Sequence, residues 1–380
     1  MKKSTIFKLA ELFCGPGGLS LGTMLASAID PKGKKYIVKP VWANDIDADT
    51  CKTYARNIHK GNSRNVVCAP VETIDFNKIP HFDALAFGFP CNDFSVVGEQ
   101  KGFDGKYGPL YTYGVKAIES HDPKWFIAEN VNGLQSANNG QAFLKILEDL
   151  ENAGKGYKLT SHLYKFEDYG VPQTRHRIVI VGTRKDLNLE FKVPAPITAN
   201  KYISAKEAIE NPPIPENAPN HEITAQAKIV VERLRQIPPG ENAWYKGLPE
   251  HLRLNVKSAK MSQIYKRLHP DKPSYTITGS GGGGTHGYHW NKNRALTNRE
   301  RARIQTFSDN FVFEGSKESV RKQIGMAVPP KGAKAVIEAI LKTFAGIKYD
   351  SVRANIRASN KSIEIKQENL FDYQPITASL

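Results

Sequence analysis

Short apolar runs alternate with longer amphipathic segments along this chain. Apolar runs of strand length are typical of buried parallel strands, whereas apolar residues recurring every three to four positions predict helices. The predicted strands cover residues 7–13, 38–43, 66–71, 82–89, 124–128, 159–164 and 176–183. The predicted helices cover a segment with Leu21, Met24, Leu25, Ala28 and Ile29 on one face, and residues 110–121, 141–153, 224–237, 297–307, 317–325 and 330–344. This alternation predicts an α/β fold with a doubly wound, mostly parallel sheet.

Composition indicates how the chain is divided. A length of 380 residues is sufficient for two domains. The proline-rich text of residues 186–222 is typical of connecting segments. We expect a first domain over residues 1–185 plus about 318–348, a small inserted domain over residues 186–317, and a polar tail over residues 349–380 with no assigned function.

Membrane, secretion and metal-binding signals are not found in the sequence. No apolar run approaches the length of a membrane span, and no hydrophobic segment follows Lys2 and Lys3. The cysteines form no CxxC pair, which argues against a zinc site or a disulfide framework. They are Cys14, Cys51, Cys68 and Cys91. We expect a cytoplasmic protein with reduced thiols and no metal.

The positive charge is concentrated in one part of the sequence. The whole chain has a net charge of +15, and residues 244–303 hold 12 Lys or Arg against 3 Asp or Glu, a net +9. A solvated lysine-rich surface would spread this excess more evenly. Basic residues mixed with Trp and Tyr are typical of surfaces that bind nucleic-acid phosphates and bases. We expect Lys257, Lys260 and Lys266 to contact phosphates there.

Reactive residue types stand at the ends of predicted strands, where open α/β sheets place their ligands. Cys91 follows the apolar run of residues 82–89 and precedes a long, polar, glycine-rich loop. A cysteine after an apolar strand is more often an inert buried residue than a nucleophile. The loop weakens that interpretation, because its polar, glycine-rich composition is more typical of a mobile lid over a site than of a buried core. Glu129 follows the run of residues 124–128 at the same sheet edge and is a candidate acid or base.

A glycine-rich turn follows the first predicted strand. Gly15, Gly17 and Gly18 would let the backbone approach a cofactor at a helix N-terminus, although their spacing is not GxGxxG. Asp45, at the end of the second predicted strand, is predicted to bind ribose hydroxyls. Asp47 is predicted to cap the following helix.

Three long polar side chains alternate with other residues around the start of the last predicted strand. They are Gln173, Arg175 and Arg177. On an extended chain they point the same way, an arrangement suited to holding something planar or anionic. The alternative is that they are exposed residues of an edge strand.

Taken together, these stretches resemble the C5-cytosine-specific DNA methyltransferase family of the bacterial restriction-modification type. The matching stretches, in the family's order, are FCGPGG (13–18), GFPC (88–91), ENV (129–131), QTRHR (173–177), RERARIQTF (299–307) and QIGMAVPP (323–330). The resemblance covers roughly residues 7–344. It implies a Rossmann-like, S-adenosylmethionine-dependent fold with a small target-recognition domain. It also implies methylation at C5 of a flipped-out cytosine in a specific double-stranded DNA sequence.

The resemblance implies roles for individual residues. Cys91 would attack C6 of the cytosine, Glu129 would bind the N3 and N4 edge of the base, and Arg175 and Arg177 would orient the ring and the thiolate. The residues implied to bind S-adenosylmethionine are Phe13, Gly15, Gly17, Gly18, Asp45, Ile46, Val71, Pro90, Leu110, Met326 and Ala327. The residues implied to contact DNA are Asn92, Ser95, Gln173 and Thr276. They add to Lys257, Lys260 and Lys266, which the charge distribution predicts to contact phosphates.

The chain departs from the family pattern at four positions. The usual glutamine after the cysteine is Asn92, and the usual acid of the third cofactor motif is Pro70, for which Glu72 is a candidate substitute. The usual glutamate at the second strand is Asp45, and the usual asparagine of the last motif is Met326.

The resemblance further implies a monomer acting on double-stranded DNA, and a cognate restriction endonuclease that acts on the same sequence without a stable complex. An RNA (tRNA) cytosine-5 methyltransferase is the first alternative, and the basic, aromatic stretch of the small domain argues against it. The intact set of Cys91, Glu129, Arg175 and Arg177 argues against a non-catalytic DNA-binding module. The basic surface argues against a small-molecule methyltransferase.

Overall fold

The computed structural model describes residues 4–89, 110–134, 140–255, 261–279, 281, 284–359 and 362–365. The chain forms two compact units. The first unit holds Met1–Lys165, His176–Pro196 and Gly332–Leu380, and the second holds Phe166–Arg175 and Ile197–Lys331. Six predicted site residues lie outside the described residues, namely Pro90, Cys91, Asn92, Ser95, Lys257 and Lys260.

The strands occur where the apolar runs predict them, with additional short strands. They are β1 (Thr5–Leu12), β2 (Ser27–Ile29), β3 (Lys35–Asp45), β4 (Val66–Cys68), β5 (Ala84–Gly88), β6 (Trp125–Val131), β7 (Tyr157–Lys165), β8 (His176–Arg184), β9 (Val193–Pro194), β10 (Ser351–Val352), β11 (Ile356–Ser359) and β12 (Ser362–Ile365). The last three lie in the region to which the sequence assigned no function.

The helices are α1 (Gly18–Leu25), α2 (Ala48–Ile58), α3 (Tyr111–His121), α4 (Gln141–Asn152), α5 (Ala205–Glu210), α6 (Lys228–Gln236), α7 (Asn298–Ile304), α8 (Lys317–Met326) and α9 (Pro330–Ala345). Asp47 caps α2 as predicted, since its side chain accepts a hydrogen bond from Thr50 N. Thr297 and Glu300 form the predicted capping box of α7.

One mostly parallel sheet forms the centre of the first unit. Within the described residues its strand order is β2-β3-β1-β5-β6-β8-β7, with β4 beside the carboxyl end of β3. The strands β1, β3, β4, β5 and β6 are parallel to their neighbours in this set, whereas β2, β7 and β8 pair antiparallel. The predicted α/β class and mostly parallel sheet are confirmed.

The core of this unit packs helices against the sheet. Phe87, Trp125 and Phe126 of the central strands are fully buried, as is Phe143 of α4. A side chain at Gly114 of α3 would meet the ring of Phe87. The interior is therefore close-packed directly behind the strand ends that carry the predicted chemistry.

The first helix is shorter than its apolar pattern suggested. Ala28 and Ile29 were expected on the face of α1, but α1 ends at Leu25, and Ser27–Ile29 form β2, antiparallel to the start of β3. A turn links β2 to β3, with Gly33 N donating to Asp30 O. Short apolar runs do not distinguish a helix end from a strand, so this part of the prediction was wrong.

The second unit is built around buried residues of its long loops and short helices. Ile277, Trp290, Leu296 and Ile304 form one of its apolar clusters. Arg299 of α7 is fully buried, and its guanidinium donates to the carbonyls of Pro219, Ser308 and Phe311. Because this one side chain joins the loop at Pro219 to the loop between α7 and α8, the RERARIQTF stretch organises this unit.

The unit boundaries do not coincide with the predicted domain limits. Residues 186–196 belong to the first compact unit. Residues 166–175 and helix α8 belong to the second compact unit.

No helix in the described part of the chain is long and apolar enough to cross a membrane. The described residues also hold no cluster of three or more His, Cys, Asp or Glu that could bind a metal.

Candidate active site

The carboxyl ends of the parallel strands bring several predicted site residues to one edge of the sheet in the first unit. The loop of residues 13–18 follows β1, Asp45 ends β3, Phe89 follows β5, and Glu129 lies near the end of β6. Because these strands are parallel neighbours, their carboxyl ends lie side by side. Cys91 comes two residues after the last described residue of this segment.

The loop after β1 depends on left-handed backbone positions. Phe13, Gly15 and Gly17 have φ angles of 52°, 53° and 94°. Gly17 is also the N-cap of α1, and a side chain there would approach Ile58 Cγ1 to 2.8 Å, so only glycine fits. A Cβ on Gly15 would meet nothing within 4 Å. The loop therefore has open space beside its backbone at Gly15.

Asp45 fastens this loop to the start of the next helix. Its Oδ2 accepts from Gly15 N at 2.9 Å and its Oδ1 accepts from Asp47 N at 3.0 Å. Burial raises the pKa of Asp45, and the backbone hydrogen bonds oppose that rise. Burial likewise raises the pKa of the Cys14 thiol. Cys14 is thus an inert buried cysteine.

Apolar side chains surround the same edge. Ile46, directly after Asp45, is 70% exposed, which is unusual for isoleucine. Val71 begins a 3₁₀ turn after β4 and is buried, and Leu110 is the buried N-cap of α3. Two further residues predicted to bind the cofactor belong to the second unit, where Ala327 is buried and Met326 is exposed.

Glu11, in β1, is a residue of this region that the sequence analysis missed. It is 4% exposed, and its Oε2 accepts hydrogen bonds from the Ser20 and Tyr54 hydroxyls, the latter at 3.2 Å. Burial raises the pKa of Glu11 to about 8. The sequence signal for it was an acid between the apolar residues Ala10 and Leu12, shortly before the glycine-rich loop.

Glu129 and Arg177 form an ion pair at the end of β6. Arg177 Nε lies 3.0 Å from Glu129 Oε1, and each side chain is 13% exposed. The pair is formed across neighbouring antiparallel strands, since Val131 is opposite Arg177. Glu129 is also in register with Gly88 of β5, where a Cβ would come within 3.2 Å of Glu129 Oε2. The glycine of GFPC thus makes room for the glutamate of ENV.

Asn130 ties the same strand to the segment that precedes Cys91. Its Nδ2 donates to Phe89 O at 3.1 Å, and its Oδ1 accepts from Val131 N at 2.8 Å. Asn130 is 4% exposed. The ENV stretch therefore supplies a carboxylate and also holds the end of the chain segment leading to the cysteine.

Gln173 and Arg175 have other surroundings, in the second unit. Arg175 is 1% exposed and donates to Ile277 O at 3.3 Å and Gly325 O at 3.0 Å. Gln173 is fully buried, and its Oε1 accepts from Ile277 N at 2.8 Å. Both side chains thus bind the second unit's own backbone, whereas Arg177 pairs with Glu129. The functional roles of Gln173 and Arg175 stay predictions.

Thr276 and Lys266 lie in one region of the second unit. Thr276 Oγ1 donates to Thr174 O at 2.6 Å. Lys266 Nζ lies 4.6 Å from the centre of the Tyr275 ring. Both residues are partly exposed to solvent, as residues that contact DNA must be in the free protein.

Comparisons with known proteins extend over nearly the whole chain. The family model of the C-5 cytosine-specific DNA methylase matches residues 7–342. The type II methyltransferase M.BbvI of Brevibacillus brevis is 59% identical over 354 residues, which cover 92% of this chain and 94% of that protein. The type II methyltransferase M.NgoFVII of Neisseria gonorrhoeae is 40% identical, covering 89% and 87% of the two chains.

Solved structures share the fold. A DNA modification methyltransferase encoded within an E. coli prophage superposes with a TM-score of 0.69 at 21% identity, covering 89% of this chain and 99% of that one. The Entamoeba histolytica methyltransferase EhMeth gives a TM-score of 0.57 at 15% identity, covering 90% and 99%. At these identities the likeness establishes the fold alone.

Proposed function

Because this chain belongs to the C-5 cytosine-specific DNA methylase family and is a DNA C5-cytosine methyltransferase, we propose that it uses a covalent mechanism with Cys91 as the nucleophile. The methyl donor is S-adenosylmethionine, and the substrate is a cytosine within a specific double-stranded DNA sequence. The observation that carries the proposal is the Glu129–Arg177 ion pair at the sheet edge where the segment leading to Cys91 emerges.

The chemistry begins with addition of the Cys91 thiolate to C6 of the cytosine. The new S–C6 bond makes C5 nucleophilic, and after methylation the C5 proton is lost as the S–C6 bond breaks. A free cysteine is mostly protonated near neutral pH, so the thiolate needs a stabilising environment. Since C6 is inaccessible inside a duplex, the cytosine must leave the stack, at a cost of about a few kcal/mol.

Glu129 binds the N3 and N4 edge of the cytosine in this proposal. Arg177 holds Glu129 Oε1 at 3.0 Å, which orients the carboxylate. The pair is 13% exposed on each side, so the ionic contact operates in partly dehydrated surroundings, where it is stronger than in water. Arg175 and Arg177 are proposed to orient the ring and the thiolate, and Arg177 is in addition proposed to position Glu129.

The loop of residues 13–18 and its surroundings fit a cofactor of the S-adenosylmethionine type. The open space at Gly15 admits a ligand to the backbone, and the exposed Ile46 offers apolar surface to a flat ring. Asp45 holds the loop and is proposed to bind the ribose, with Val71 and Leu110 completing the apolar wall. Bound S-adenosylmethionine would supply an electrophilic methyl group. Pro90, Met326 and Ala327 are proposed to adjoin it.

DNA is proposed to contact the residues of the small domain, 186–317, together with the loop after Cys91. The concentration of basic residues within 244–303 supports this assignment. The relatives with matching sequences are named type II methyltransferases. A cognate endonuclease acting separately on the same sequence, a monomeric state and a cytoplasmic location belong to the same proposal.

Trapping on DNA that contains 5-fluorocytosine tests the covalent step. Fluorine at C5 blocks loss of the C5 substituent, so the wild-type protein should accumulate a covalent adduct visible on a denaturing gel. Cys91→Ser should form none, whereas the matched variant Cys14→Ser should form it normally, because Cys14 is buried and inert. An adduct on Cys91→Ser of wild-type yield would refute the assignment. Trapping on tRNA but not on DNA would favour the RNA alternative.

A further inference from the structure

Two cysteines of the first unit contact the chain segment that follows β3. Cys68 ends β4 and is in register with Asp45 at the end of β3. Cys51 lies in the first turn of α2, and its backbone N donates to Asp47 O at 2.9 Å. Both cysteines therefore adjoin the segment that holds Asp45 and Ile46, two residues predicted to bind the cofactor.

The two thiols bind consecutive carbonyl groups of that segment. Cys51 Sγ donates to Asp45 O at 3.5 Å, and Cys68 Sγ donates to Ile46 O at 3.8 Å. The two thiols also contact each other through a side-chain hydrogen bond. Thiols that already face each other meet the main geometric requirement for a disulfide.

The two thiols differ in their access to solvent. Cys68 is exposed, whereas Cys51 is 6% exposed. Burial also raises the pKa of the Cys51 thiol, so it is the less reactive of the two toward a reagent in solution. A reagent therefore meets Cys68 first, and Cys51 is placed to react with the modified Cys68.

We propose that Cys51 and Cys68 form a reversible disulfide that weakens cofactor binding. The oxidant is a low-molecular-weight disulfide, which is reduced as the two protein thiols are oxidised. The Cys68 thiolate attacks one sulfur of this reagent, which forms a mixed disulfide and releases one small thiol. The Cys51 sulfur then attacks the Cys68 sulfur, forms the protein disulfide and releases the second small thiol. The two protons lost by the protein thiols end on the two small thiols.

The disulfide changes the hydrogen bonds of the cofactor-binding segment. Because it contains no S–H group, Ile46 O loses the hydrogen bond from Cys68, whereas Asp45 O keeps the one from Ala69 N at 3.1 Å. Ile46 offers its exposed side chain to the cofactor ring in the proposed function, on which this effect rests. Affinity for S-adenosylmethionine should fall about 3- to 10-fold, the change expected for one lost hydrogen bond.

Peptide mapping of the full chain tests the disulfide, with glutathione disulfide as the probe and mass spectrometry without reduction. Wild-type protein should yield a linked Cys51–Cys68 peptide that dithiothreitol removes. Cys51→Ser should stop at the mixed disulfide, with one glutathionyl group on Cys68. Cys68→Ser should leave Cys51 unmodified, because that thiol is buried. The matched control Cys14→Ser removes another buried cysteine and should form the linked peptide as wild type does.

Calorimetric titration with S-adenosylmethionine tests the effect on the cofactor. Each protein is titrated before treatment, after treatment and after reduction. The affinity of wild type should fall on treatment and recover with dithiothreitol. The affinity of Cys68→Ser should not change on treatment. This comparison excludes an effect of the reagent at Cys91, since both proteins contain that cysteine.

A treated wild type without the linked peptide, or one that is linked and keeps its affinity, would overturn the inference. An equal loss of affinity in treated Cys68→Ser would overturn it as well. A reduced wild type that does not bind S-adenosylmethionine would instead refute the proposed cofactor. In that case the peptide map would still decide whether the disulfide forms, because it does not depend on the cofactor.

Discussion

Replacing Glu11 with glutamine should change how the stability of the protein depends on pH. The carboxyl is buried beneath the glycine-rich loop, and its pKa is raised from 4.5 to about 8 by burial. Below pH 4.5 it is protonated in both the folded and the unfolded chain and contributes no pH dependence. Between pH 4.5 and about 8 the unfolded chain releases the proton that the folded chain retains, so stability falls as pH rises.

The size of the effect follows from the pH interval. Each pH unit within that window costs about 1.4 kcal/mol, so wild-type protein should lose about 3 kcal/mol between pH 5.5 and 8.5 through this group. Glu11→Gln keeps an oxygen that can accept from Ser20 and Tyr54 and has no titrating proton. The variant should therefore lack this part of the decline, and the two stabilities should diverge as pH rises.

Urea unfolding at pH 5.5, 7 and 8.5 measures the divergence, because titrations common to both proteins cancel in the difference. Glu119→Gln, which removes an exposed carboxylate of α3, is the matched control and should follow wild type. A constant difference between wild type and Glu11→Gln across this range would show that the Glu11 carboxyl is ionised in the folded protein. The reasoning from burial would then be wrong.

Three further predictions concern the site, a helix and the small domain. Glu129→Gln should keep DNA binding and lose turnover on the order of 100-fold or more, measured by methyl incorporation; normal turnover would contradict its role. Thr297→Ala removes the N-cap of α7 and should cost about 1 kcal/mol in denaturant unfolding, with an unchanged stability arguing against the capping box. Exchanging about residues 186–295 for the equivalent segment of a relative with another target should transfer the methylated sequence to the donor's; a folded, active chimera that keeps the original sequence would place specificity in the core.

Local chemistry made much of the first unit predictable from sequence. The cap at Asp47 and the capping box at Thr297 depend on side chains that bond their own helix, so their spacing is sufficient. Glycine at positions 15 and 17 likewise marks positive φ angles. The Glu129–Arg177 contact depends on the pairing of β6 with β8, which the sequence does not specify, although each residue is predicted separately as a site residue.

Long-range partners explain what the sequence could not reveal. The alternation of Gln173 and Arg175 with other residues suggested one shared face, but their hydrogen-bond partners include Ile277 and Gly325, more than 100 positions away. The hydrogen bond that Glu11 accepts from Tyr54 likewise comes from another element, α2. Such contacts follow from tertiary packing, which outweighs local periodicity.

The division of the first unit into distant stretches has a consequence for how the protein is synthesised. Phe7 of β1 packs against Phe344 of α9 with ring centres 4.9 Å apart, and Ile337 and Ile340 of α9 are fully buried. The ribosome makes β1 before the second unit, and it makes most of α9 only after Lys331, the last residue of the second unit. Domains usually fold in the order in which they emerge. Here synthesis of the first unit begins before that of the second unit and ends after it. The apolar face of nascent β1 that packs against α9 therefore stays exposed while the second unit is made and folds.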